Sequence, residues 1–346
     1  RDDVESRGLG DVYKRQMYQR HTYRYYPSTL PAKVEGEGGE AYRAEYDDHN
    51  LLTENTLSYL KTLDSGHTFD GLLGFTGQRL SSNDFSLNGK GYMDDNVKWN
   101  NMNAVQDKQT YSASSSTSKR TKMSLLARFN YNYKQRYYLT VTGRYDGASN
   151  FAANNKWGFF PSASLGWNIY REKFMEPAAD FLSNLKLRVS YGLLGNQADA
   201  GLYTFASNMS LNGGLGGYIF SDGRHIYTNP APVIDPNTTW EKVESKNIGL
   251  DFGFFGNALT GTVDIFQRDT KDMLGPGLEF PDMFGAVAPQ ANNARMRNRG
   301  WELSLNYRGK IGNNIDYSVG GSVSDAVSEV TEYANAKKND PYGSWY

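Results

Sequence analysis

Along residues 123–133 apolar and polar positions alternate. Met123, Leu125, Ala127, Phe129, Tyr131 and Tyr133 fall on one side of the pattern, and Ser124, Leu126, Arg128, Asn130 and Asn132 on the other. A period of two is that of an extended strand, whose side chains point to opposite faces in turn. The pattern recurs over 137–146, 161–170, 185–193, 248–254, 259–268, 301–308 and 315–324. It is weaker over 51–61 and 67–76, and weakest over 17–26. These segments predict ten strands and, at 17–26, an eleventh. Only 171–183 has helical spacing, through Phe174, Met175, Phe181 and Leu182, and Pro177 is expected to break it into short turns.

Alternation does not say which face meets water. A sandwich buries its apolar face as core, whereas a transmembrane barrel turns that face to lipid and its polar face to the lumen. The segments between strands separate the two. They run short at 62–66, 134–136, 255–257 and 309–313, and long at 77–118, 195–238 and 271–296. Between these come a moderate connection at 147–158 and a compact helical one at 171–184. Long and short connections alternate, so an up-and-down meander carries its long loops at one end and its tight turns at the other. Outer-membrane barrels have that layout. Beside the short turns stand Tyr131, Tyr133, Tyr137, Trp167, Phe254 and Tyr307, which read as an interfacial aromatic girdle. The strand charges Arg128, Arg144, Asp146, Arg188 and Glu302 fall mainly on the polar set and so face a lumen.

Composition narrows the function. The 346 residues carry 37 Lys and Arg against 38 Asp and Glu, so nucleic acid is not an expected partner. There is no Cys, and the four His residues are scattered, so neither a thiolate metal site, a disulfide framework nor a His cluster is expected. No apolar run exceeds eight residues even counting Gly, as at 213–220, which excludes a membrane-spanning helix but not a barrel strand, in which only alternate residues need be apolar. No nucleophile elbow or His-paired Ser appears, so an enzyme is not expected, and no cofactor is implied. Asp47-Asp48 and Asp94-Asp95 lack the spacing of a calcium loop and read as loop charge. Residues 1–16 are polar, lack alternation and look like a translated adaptor scar, expected to be disordered.

Several segments in order resemble the SusC/RagA family of TonB-linked outer-membrane proteins from Bacteroidetes. They are Arg144-Tyr145-Asp146-Gly147-Ala148-Ser149-Asn150-Phe151, Lys156-Trp157-Gly158-Phe159-Phe160-Pro161-Ser162 with Gly166-Trp167, and Leu185-Lys186-Leu187-Arg188-Val189-Ser190-Tyr191-Gly192 with Gly195-Asn196. Trp240-Glu241, Asn247-Ile248-Gly249-Leu250-Asp251-Phe252, Asp269-Thr270-Lys271-Asp272-Met273-Leu274 and Asn298-Arg299-Gly300-Trp301-Glu302-Leu303 complete the set. The resemblance implies a barrel of 22 strands with an N-terminal plug, of which 17–346 would be a central fragment of ten or eleven strands without the plug and last strands. It also implies TonB-driven import of oligosaccharides or peptides across the bacterial outer membrane, beneath a SusD-like surface lipoprotein. On this reading Arg128, Arg144, Asp146, Arg188 and Glu302 are lumen or plug contacts. Tyr92, Trp99, Tyr111, Trp157, Tyr218 and Arg224 are outer-loop candidates for ligand or lid contact. The alternative is a secreted or surface soluble β-sandwich that binds carbohydrate. It requires two facing sheets burying Leu125, Leu139, Leu165, Leu187 and Leu250, whereas a barrel leaves that set outside.

Overall fold

The computed structural model describes residues 4–29, 38–92, 94–106, 108–197, 200–202, 205–207, 209, 211–212, 218–220, 223–225, 227–277, 280–312 and 315–333. Its strands are β1 (Val4–Tyr26), β2 (Gly39–Thr62), β3 (His67–Tyr92), β4 (Ser112–Tyr133), β5 (Tyr137–Ala148), β6 (Trp157–Asn168), β7 (Leu182–Asn196), β8 (Leu211–Asn212), β9 (Tyr218–Phe220), β10 (Gly223–His225), β11 (Tyr227–Thr228), β12 (Glu241–Phe254), β13 (Leu259–Gly275), β14 (Ala291–Ile311) and β15 (Ile315–Tyr333). Eleven of them form one sheet in the order β1-β2-β3-β4-β5-β6-β7-β12-β13-β14-β15. β8 pairs with β11 and β9 with β10 as two separate ladders within the connection 197–240. Each sheet strand thus neighbours only the sheet strands next to it in sequence. Among the described residues no second large sheet forms to face this one, so the sandwich alternative finds no support.

The expected strands are present, and most are longer than the alternation indicated. β3 runs to Tyr92 and β4 starts at Ser112, so most of the long loop expected at 77–118 is strand. Asp47 and Asp48 lie on β2, not in a loop. β1 begins at Val4, so residues 4–16 carry strand backbone where disorder was expected. The reason is the same each time: a ladder needs only backbone N–H and C=O groups, whereas alternation appears only where one face is apolar. The stretch 171–183 forms 3-10 turns at Ile169–Arg171 and Lys173–Ala178, with Pro177 inside the second. Among the described residues no helix is long and apolar enough to cross a membrane.

Chain contacts divide the molecule into two units. The first comprises residues 1–10, 56–75 and 124–346. Its register sets Leu139 opposite Leu165, Leu165 opposite Val189, and Leu187 opposite Leu250. It continues with Leu250 opposite Val263, Val263 opposite Leu303, and Leu303 opposite Val323. Directly opposed residues share a face, so one apolar row crosses the sheet from β5 to β15. The face that carries this row is open: Leu165 is 59% exposed, and Ile248 and Ile265 in the adjacent row are 55% and 62%. Burial of such a side chain is worth roughly 1.5–3 kcal/mol, and an exposed apolar area of this width in water would be a severe aggregation hazard. The face is built to meet something other than water.

The second unit comprises residues 11–55 and 76–123. Many of its strand residues are polar, and they bond across the ladder through side chains. Gln78 donates to Asn50 at 3.0 Å, Asn88 to Glu40 at 2.9 Å, Ser116 to Asp84 at 3.0 Å, and Ser82 to Asp48. A small core of Ala41, Tyr92 and Val105 fixes the connection 93–111 against β2 and β3.

Candidate functional site

The polar face of the first unit centres on Arg188. Its Nε and Nη2 donate to both oxygens of Asp251 at 2.9 Å each, and Nη2 also reaches Asp264 at 3.2 and 3.3 Å. Arg188 stands directly opposite Gly166 on one side and Gly249 on the other, and Gly249 in turn stands opposite Asp264. A Cβ on Gly249 would lie 2.4 Å from Asp264 Oδ1 and 2.7 Å from Arg188 Nη2. The missing side chain is therefore what lets one guanidinium span three strands. Glu302 extends this row, directly opposite Asp264. Arg144 and Asp146 form a second pair on the same face, with Nε 2.7 and 2.8 Å from the carboxylate and Nη2 donating to Ser124 at 3.1 Å. Among the described residues Arg128 and Glu302 have no ion-pair partner.

At the long-connection end of this unit, Phe151, Phe160 and Trp240 close into a core with Ala148 and Ala200. The Trp240 ring lies 5.1 Å from Phe151 and 5.5 Å from Phe160, and its Nε1 donates to the Lys156 carbonyl at 3.3 Å. Buried Asn150 donates to the Ala200 carbonyl at 3.0 Å. The segments that carried the family resemblance thus meet here, pinning the connection 149–156 to residues 200 and 240. Trp157 stacks on Tyr145 at 4.9 Å over Gly147, on the apolar face.

At the short-turn end, the girdle residues sit side by side. Tyr137 is directly opposite Trp167, and both donate to Glu172 Oε1, at 2.5 and 3.1 Å. Arg136 Nη1 lies 3.3 Å from Oε2 of the same carboxylate. The hydrogen bond from Tyr137 leads in holding the Glu172 carboxyl below its ordinary range. His67 Nδ1 shares a 2.8 Å hydrogen bond with the Tyr131 hydroxyl and packs 4.5 Å from the Tyr133 ring. Phe254 stacks on Phe181 at 6.3 Å, and Tyr307 lies 6.0 Å from Tyr317. Glu172 and Arg136 were not singled out in the sequence, because they are brought together from two different connections and leave no local motif.

In the second unit, Tyr92 is 1% exposed, with its hydroxyl 3.4 Å from the Met102 carbonyl. This corrects the expectation that Tyr92 contacts a ligand or lid: the ring is core. Tyr111 donates to the same carbonyl at 2.5 Å, and its ring packs against that core. Trp99 is half-buried and stacks on exposed Tyr23 at 6.2 Å, with the Arg43 guanidinium 5.6 Å from the Tyr23 centroid. Tyr23 was missed, although His21, Tyr23 and Tyr25 repeat at every second position of β1. Asp95 accepts from Tyr25 at 2.6 Å and from the Ser28 hydroxyl at 2.8 Å, which makes it a brace for the connection. Tyr218 and Arg224 lie on β9 and β10, and their side chains fall outside the described residues. Among the described residues no group of three His, Asp or Glu side chains is placed to hold a metal ion.

The sequence profile of the family described as TonB dependent receptor-like, beta-barrel, matches residues 4–344. The chain belongs to this family. The receptor chain is 30% identical over 309 residues to the TonB-dependent receptor SusC of Bacteroides thetaiotaomicron, covering 89% of the chain and 29% of SusC. It is 31% identical over 333 residues to the TonB-dependent receptor P39 of Formosa agariphila, covering 94% of the chain and 30% of P39. The chain therefore spans under a third of the length of these relatives. Among solved structures, the RagAB peptide transporter superposes with a TM-score of 0.82 at 24% identity, over 94% of this chain and 35% of that one. The SusC/RagA resemblance read from the sequence holds, and the exposed apolar row is the outer-membrane face of a TonB-dependent receptor barrel.

Proposed function

We propose that this receptor chain forms part of a TonB-driven importer of nutrients, with oligosaccharides or peptides as cargo and a SusD-like lipoprotein over its long-connection end. The observation that carries the reading is the single meander with one open apolar face, one polar face and long connections confined to one end. The similarity to SusC supports the family reading, and the RagAB peptide transporter, by its name, suggests peptides as one cargo class. On this reading the polar face lines the lumen. Arg188, Arg144 and Asp146 already bond within the wall and act as braces, so Arg128 and Glu302 are the better contacts for a plug or a passing solute. Trp99 with Tyr23 offers the loop-side aromatic platform, and Trp157 meets the membrane rather than the cargo.

The test is deletion of the gene in its host, followed by uptake of labelled oligosaccharides and peptides with and without a protonophore. Loss of uptake of one class, reproduced by the protonophore in the parent strain, is the expected result. Unchanged uptake of both classes would overturn the proposal.

A further inference from the structure

The segment 235–241 of the first unit leads into β12, whose ladder neighbours are β7 and β13. Asp235 folds it on itself: its carbonyl accepts from the Thr238 hydroxyl at 3.0 Å, and its carboxylate accepts from the Asn237 N–H at 2.9 Å. From there the segment reaches the long-connection ends of four other strands. Just before β6, the Lys156 carbonyl accepts from Trp240 Nε1, and Asn155 Nδ2 lies 3.3 Å from the Thr238 carbonyl. On β7, Asn196 Nδ2 donates to the Glu241 carboxylate at 2.8 Å. On β13, the Leu274 N–H donates to the other oxygen of that carboxylate at 2.9 Å. On β14, the Asn292 amide accepts from the Thr239 N–H at 2.8 Å and donates to the Thr239 carbonyl at 3.0 Å, the two bonds a ladder neighbour would make. Asn292 Nδ2 also donates to the Asp272 carbonyl at 2.6 Å. Thr238, Trp240 and Glu241 are buried.

Ladder bonds join adjacent strands, so beyond the ladder ends of a meander each connection stands alone unless side chains tie it to others. Here one short segment ties β6 to β14, with β7, β12 and β13 between them. The ladder of β13 gives way to it. Its register shifts between Thr270 and Leu274, with Asp272 at positive φ, and the Asp272 carbonyl and Leu274 N–H are the groups that Asn292 and Glu241 bond. A bulge re-aims backbone groups in this way. Sliding any of the five strands against the rest would leave buried polar groups unpaired, which costs more than the bonds themselves contribute. We infer that 235–241 is a cross-brace that keeps the long-connection ends of β6, β7, β12, β13 and β14 as one stationary body during transport, and that Asn292 and Glu241 are its positioning residues. The movements of a transport cycle then belong to other connections. The stationary role rests on the import reading; the brace itself does not.

The experiment uses the full-length receptor from outer membranes and has two arms. In the first, amide hydrogen exchange is read by mass spectrometry. Asn292→Ala is expected to speed exchange about tenfold, the effect of one lost buried hydrogen bond, both in 235–241 and in the distant connection 149–156. Asn293→Ala, whose amide donates to the Pro276 carbonyl outside the brace, should speed exchange only around 276. A heat-modifiable gel shift verifies that each variant is folded. A rise confined to 235–241 in Asn292→Ala would overturn the brace, and so would the same rise in 149–156 from Asn293→Ala. In the second arm, Asn154→Cys and Asn237→Cys, exposed neighbours of the Asn155–Thr238 contact, are joined in cells by a short bismaleimide. Uptake equal to that of the unjoined pair is expected, and uptake lost on joining would refute the stationary body. No uptake in the parent would instead count against the import reading, with the exchange arm still deciding the brace.

Discussion

Gly249 occupies a position where a side chain would strike both partners of an ion pair. The Arg188 guanidinium passes over it to reach Asp264 on the next strand while also bonding Asp251. Gly249→Ala should therefore push the guanidinium or the Asp264 carboxylate aside and lose one charge-assisted hydrogen bond. The groups are partly exposed, which discounts the effect to about 1 kcal/mol. Gly192→Ala, whose Cβ would meet only Ser162 at 3.3 Å, should cost less. Urea midpoints of the two variants check this, and equal midpoints would remove Gly249 from the account. The sequence showed Arg188 as a lumen-facing charge, but its partners could not be read there. Asp251 and Asp264 are 63 and 76 residues away, and only the register of β7, β12 and β13 brings them together.

At the scale of elements, the hairpin turn between β12 and β13 was legible. Ala258 N–H donates to the Phe255 carbonyl at 3.2 Å around Gly256 and Asn257, but Phe255 is also at positive φ and the ladder ends at Phe254 and Leu259, so the loop is a tight four-residue one rather than the two-residue loop expected. The ends of β2, β3 and β4 were not legible, because many residues of their outer parts are polar and leave no clear period to detect. The link between β6 and β7 works through Glu172, which gathers Tyr137, Trp167 and Arg136. Because its carboxyl is held low in the fold, its contribution is complete above the ordinary value of 4.5 and fades as the pH falls below it. Glu172→Gln should lower the thermal midpoint at pH 7 and flatten the acid limb of its pH profile. Midpoints measured from neutral to acid pH decide this, and parallel profiles for parent and variant would exclude Glu172 as the acid-sensitive clasp.

For the whole molecule, the decisive question was which face of the alternation is wet. Connection lengths in the sequence answer it, since they depend on topology and need no knowledge of side-chain partners. The open row through Leu165 should tolerate lipid but not charge. Leu165→Arg is expected to cost roughly 2–4 kcal/mol at mid-bilayer and to reduce the heat-modifiable, membrane-inserted fraction. Ser164→Arg, on the other face, should leave insertion nearly intact. Equal insertion of the two variants would contradict the assignment of faces. The core of Phe151, Phe160 and Trp240 has a bearing on how such receptors are sorted. Some of the residues that carried the family resemblance form the rivet that fastens one connection to the next, so their work in this chain is mechanical. Genome surveys keyed to that rivet will gather chassis of one make, and the freight each carries has to be catalogued from the segments hung around it.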